Sequence, residues 1–130
     1  MNILPHTLNC NIKVIKMQMY IFFNNDLQMS KGQIVTQCCH ITQVITDELV
    51  SQCYEVTPTP KECLDYMKWK QSPTTIVLKA TQEQLNHLKS YDNARCFRDS
   101  GNRIADDSLT CVGFFPCDNM RDMVKDYKLL

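Results

Sequence analysis

The 130-residue sequence carries no excess charge of either sign: 14 lysines and arginines stand against 14 aspartates and glutamates, for a formal net charge of zero. A generic electrostatic nucleic-acid binder is basic throughout, so any such partner here has to be met by a local patch. A long apolar run is also missing. The first 15 residues show no clear period, and Asn9, Asn11, Lys13 and Lys16 break their apolar stretch, leaving neither a secretory core nor a membrane span. They are expected to form a flexible amino-terminal extension to a single domain at residues 16–130. Repeats, low-complexity tracts and linkers are absent. No Cys-x-x-Cys pair occurs among the eight cysteines.

Those cysteines do not read as a disulfide framework. Cys38, Cys63 and Cys111 occupy positions where apolar residues belong, which suits reduced, buried thiols in a cytoplasmic protein. Cys38-Cys39-His40 does not make a zinc site, since adjacent helix positions point about 100° apart. Neither a metal nor a cofactor is expected.

What is present is a regular alternation of elements. Residues 17–23 are short, aromatic and nearly all apolar, as in a strand buried on both faces. Asn24, Asn25 and Asp26 end it with turn chemistry. Ser30 then opens a helix, with Gln33 completing a capping-box pattern, and the helix runs to about residue 53. Ile34, Cys38, Ile41, Ile45 and Leu49 make its core stripe, while Gln33, Gln37 and His40 fall on the neighbouring one. Thr59 and Pro60 read as the N-cap and first position of a second helix reaching about residue 70, packing Cys63, Leu64, Met67 and Trp69. Residues 75–80 are a β-branched strand. Thr81 and Gln84 give another capping box, for a short helix burying Leu85 and Leu88. Residues 94–98 and 109–115 are strands separated by a polar loop. Asp118 is expected to cap a last helix that turns Met120, Met123, Val124 and Tyr127 inward. The order β-α-α-β-α-β-β-α predicts an α/β fold: one domain with a small four-stranded mixed sheet and helices on both faces.

The run Asn24-Asn25-Asp26-Leu27-Gln28-Met29-Ser30-Lys31-Gly32-Gln33-Ile34-Val35-Thr36-Gln37-Cys38-Cys39-His40 resembles, without a gap, the opening motif of the archaeal and eukaryotic type of peptidyl-tRNA hydrolase. A second stretch, Asp99-Ser100-Gly101-Asn102-Arg103-Ile104, is similar to that family's second motif. Thr110-Cys111-Val112-Gly113-Phe114-Phe115-Pro116 follows, as does a closing segment ending Tyr127-Lys128-Leu129-Leu130. The resemblance covers about residue 16 to the end.

It implies hydrolysis of the ester joining a peptide to the terminal ribose of tRNA, without a cofactor. It further implies catalytic roles for Asp99, Gln37, Thr110 and His40, and substrate-binding roles for Asp26, Lys31, Gln33 and Arg103. The implied partner is peptidyl-tRNA rather than a membrane, with the chain a monomer or homodimer. Three positions depart from the family pattern by losing positive charge: Gln33 stands where the motif has lysine, and Asn24 and Asn102 where it has arginine. A cation withdrawn from transition-state stabilisation costs on the order of 3 kcal/mol, about a hundredfold in rate. This supports an alternative reading, a catalytically silent member of the fold that binds tRNA or a protein. Bland readings also exist for single residues: Gln33 as the capping partner of Ser30, Asp99 as a turn residue, His40 as a locally bonded helix histidine.

Overall fold

The computed structural model describes residues 16–55, 59–99, 104 and 107–130. The proposed extension at residues 1–15 lies outside them. Strand β1 (Met19–Asn24) leads through one 3-10 turn (Asn25–Leu27) into the 25-residue helix α1 (Lys31–Glu55). Helix α2 (Lys61–Gln71), strand β2 (Thr75–Ala80), helix α3 (Gln82–Leu88), strands β3 (Ala94–Arg98) and β4 (Leu109–Phe114), and a single helical turn α4 (Arg121–Val124) follow. The element order is the expected one, and the fold is α/β with a mixed four-stranded sheet.

The sheet runs β2-β1-β4-β3, with β1 parallel to β2 and β4 antiparallel to both its neighbours. This places the carboxyl ends of β1, β2 and β3 and the start of β4 at one end of the sheet. Helix α1 begins at that end. Strand β1 is buried along its whole length because both of its faces are covered. Met19, Ile21 and Phe23 pack under α1 and α2 with Ile34, Ile41, Ile45, Leu49, Tyr66 and Trp69. Tyr20 and Phe22 face the opposite layer, with Leu85 and Leu88 of α3 and with Met120 and Tyr127 near the end of the chain. Gly113 on β4 lets α1 lie close to the sheet, since a Cβ there would come within 2.8 Å of Ile45 Cδ1 and 2.9 Å of Ile41 Cγ1.

Three local expectations are corrected. On α2, Leu64 and Met67 are 48% and 46% exposed, while Cys63, Asp65, Tyr66 and Trp69 are buried. Trp69 sets this rotation by donating its indole N–H to the Thr74 carbonyl, 2.9 Å away. The N-cap of α2 is Pro60 rather than Thr59, and it makes no side-chain cap bond. Met120, not Asp118, precedes α4, again without a side-chain cap. The chain end adds something the sequence pattern did not announce. Lys79 N–H donates to the Lys128 carbonyl at 2.8 Å and Leu130 N–H to the Val77 carbonyl at 3.1 Å, so the tail lies along the outer edge of β2.

Candidate active site

The site begins with an irregularity in β4. Between β3 and β4 the pairing passes from Phe97↔Cys111 to Arg98↔Leu109, so Thr110 has no partner on β3. A bulge of this kind re-aims side chains. Leu109 and Val112 face the α3 layer. Thr110 and Cys111 both face α1: the Thr110 hydroxyl lies 2.8 Å from Gln37 Oε1, and Cys111 Sγ lies 3.5 Å from the Gln37 carbonyl oxygen. The bulge thus gives one helix residue two contacts from consecutive strand positions.

Thr110 is fully buried and Gln37 nearly so. The Thr110 hydroxyl also sits 3.1 Å from the Phe97 carbonyl, so its single proton is shared between two acceptors. With the Gln37 oxygen occupied in this way, the other end of the amide, Nε2, is the donor end. His40, one helical turn further on, stacks its ring on Phe97 with centroids 4.8 Å apart and planes at 29°. Gln37, His40, Phe97 and Thr110 therefore form one contiguous cluster between α1 and the β3–β4 pair.

Asp99 follows β3 directly and is half-buried. Its backbone N–H donates to the Ser108 carbonyl at 2.9 Å, and its own carbonyl accepts from Asp107 N–H at 3.2 Å. These bonds pin Asp99 at the base of the β3–β4 loop, two residues past Phe97, at the end of the sheet where α1 starts.

The residues expected to bind substrate are dispersed. Lys31 is exposed on the first turn of α1. Gln33 completes a capping box, with Ser30 N–H donating to its Oε1 at 2.9 Å and its own N–H donating to Ser30 Oγ at 3.2 Å. Asp26 turns to α3 instead, where its Oδ2 accepts from the Gln82 N–H at 2.8 Å, a favourable place for a carboxylate. Arg103 and Asn102 lie outside the described residues. Arg95 is engaged with Glu48 of α1: its Nε and Nη2 donate to the two carboxylate oxygens at 2.7 and 2.5 Å. Its guanidinium also sits 4.7 Å from the centre of the Phe115 ring.

Nucleophilic thiol chemistry finds no support at this site. Burial pushes the Cys111 thiol up to about 12 and the Cys38 thiol up to about 11, so both stay protonated at neutral pH. Among the described residues, no group of three His, Cys, Asp or Glu side chains converges as a metal site would require. What the cluster supplies is an amide, a hydroxyl and a neighbouring carboxylate-bearing loop. Residues 17–130 match the family described as peptidyl-tRNA hydrolase PTH2. The chain belongs to this family.

None of the curated proteins compared with it matches. For this PTH2 member, then, the site rests on its own residues. The sequence marks Asn24 as a turn residue and as a departure from the motif, and its side chain is fully buried and bonded to three separate groups. A polar residue closing an otherwise apolar strand was the available signal. Among the described residues, no helix is long and apolar enough to cross a membrane.

Proposed function

We propose that this PTH2-family chain hydrolyses the ester between the peptide and the terminal ribose of peptidyl-tRNA. Water adds to the ester carbonyl carbon, the bond from that carbon to the ribose oxygen breaks, and the products are a free peptide carboxylate and tRNA. Asp99 orients the water and accepts its proton, which then passes to the departing ribose oxygen. Gln37 Nε2 donates to the carbonyl oxygen as negative charge develops there, with Thr110 holding the amide in that orientation. His40 joins the same cluster through its stack on Phe97. Lys31 and the free backbone N–H groups at the amino end of α1 meet the phosphate of the terminal nucleotide.

The observation that carries this reading is the buried Thr110–Gln37 contact at 2.8 Å in a chain matched to the family over residues 17–130. Two motif residues 73 positions apart meet there, and the amide is fixed before any substrate arrives. The test is to incubate the protein with an N-blocked aminoacyl-tRNA and follow free tRNA. Release by wild type and its loss in Asp99→Ala are expected; release at the same background rate by both sinks the proposal.

A second reading is a binding module of the same fold that no longer turns over. It is favoured by Gln33, which carries no charge and is committed to the Ser30 cap. Under this reading the protein retains tRNA without cleaving it, and Gln33→Lys restores turnover. An unchanged rate in Gln33→Lys counts against a lost lysine as the cause.

A further inference from the structure

Thr110 has no register partner on either neighbouring strand. On the β3 side the bulge skips it. On the β1 side the rungs run Ile21↔Gly113, Phe22↔Val112 and Phe23↔Cys111, then stop where Asn24 would have met Thr110. The bulge aims the Thr110 hydroxyl at α1, and where that hydroxyl reaches depends on how the Leu109–Thr110 peptide is held.

Asn24 is in position to hold that peptide. It is fully buried at the end of β1, and its Nδ2 donates to the Leu109 carbonyl at 2.9 Å and to Gln82 Oε1 at 2.8 Å. Its Oδ1 accepts from Asp26 N–H at 3.0 Å, and Asp26 in turn caps α3 through the Gln82 N–H. The Leu109 carbonyl belongs to the peptide plane that carries the Thr110 nitrogen. Peptide planes are rigid, so clamping that oxygen fixes where Thr110 Cα sits.

We propose that Asn24 is a positioning residue for Thr110: by holding the Leu109 carbonyl it sets the peptide plane from which the Thr110 hydroxyl reaches Gln37. The inference rests on the hydrolase reading above for its consequence in rate. The side-chain amide was available here because this chain has asparagine where the motif it resembles carries arginine.

The test is a double-mutant cycle on the full chain. Asn24→Ala lowers kcat on the order of tenfold while KM stays within about twofold, as expected for a misplaced catalytic group. In a Thr110→Val background the same substitution lowers kcat no further, although it still lowers Tm. An equal loss of kcat in both backgrounds means that Asn24 contributes stability alone, and overturns the proposal. A second readout needs no turnover: the side-chain amide resonances of Gln37 shift in Asn24→Ala as they do in Thr110→Val. If they stay at the wild-type positions, the proposal fails. Asn24→Asp keeps the shape and the Asp26 contact but sets an acceptor against the Leu109 carbonyl, and it is measured the same way where the alanine variant does not fold. A wild type that releases no tRNA refutes the hydrolase reading, and the amide resonances then decide the positioning role by themselves.

Discussion

Among single side chains, the Thr110 hydroxyl has the most to lose from substitution. Thr110→Val keeps the shape but leaves Gln37 Oε1, a buried acceptor, without its 2.8 Å donor. The expected cost is about 1–3 kcal/mol in urea denaturation, with tRNA release reduced by tenfold or more on the order-of-magnitude scale of a lost orienting contact. Gly113→Ala tests a different constraint. Its new methyl would meet Ile45 Cδ1 at 2.8 Å and Ile41 Cγ1 at 2.9 Å, so a loss of about 1–3 kcal/mol is expected from overpacking. The motif spacing in the sequence pointed at Gln37 and Thr110 as separate residues, and the structure sets them side by side. It did not show why they meet, because a bulge is a property of the register between two strands and neither strand announces it alone. Gln33 was legible in its bland form, since Ser30 and Gln33 spell a capping box whatever the fold around them.

At the scale of elements, the Glu48–Arg95 pair ties the middle of α1 to β3 and was missed. A glutamate on a helix and an arginine on a strand 47 residues later have no local pattern to connect them. Hydrogen bonds from Arg95 hold the Glu48 carboxyl below the usual carboxylate range, outweighing its partial burial. A depressed folded-state value means that the stabilisation is fully present above the unfolded value near about 4.3 and fades as pH falls through the lower folded one. Glu48→Gln should therefore flatten the acid limb of a stability-versus-pH curve below about pH 4.3. Both side chains are about a third exposed, so the effect stays below about 1 kcal/mol. Unfolding followed by circular dichroism across that window checks it. Helix α3 carries the cap its sequence spells: Thr81 and Gln84 bond reciprocally at 3.1 and 2.8 Å. Thr81→Ala is expected to cost about 1 kcal/mol. The rotation of α2 is not legible in its sequence, since apolar residues there fit more than one face, and contacts such as Trp69 to Thr74 and Cys63 to Leu49 select one.

For the molecule as a whole, two apolar layers cover both faces of one buried strand. The described residues proposed to act lie on the first three turns of α1, at the end of β1, at the start of β4 or directly after β3. The zero net charge sets an expectation for the substrate. With three motif cations absent, tRNA binding should weaken only gently with salt, and Gln33→Lys should steepen the log–log slope by roughly 0.7–0.9, the worth of one added phosphate contact. Filter binding over a salt series measures this. The architecture was readable because strand and helix periods agree with turn and cap residues along the chain. The contacts made by Asn24, the bulge and Glu48 were not, because each joins residues far apart in sequence. The most direct measurement of the central claim is release of tRNA from an N-blocked aminoacyl-tRNA by wild type and by Asp99→Ala. Turnover by the wild type that falls at least about a hundredfold in the variant is predicted; equal rates at background in both would contradict it.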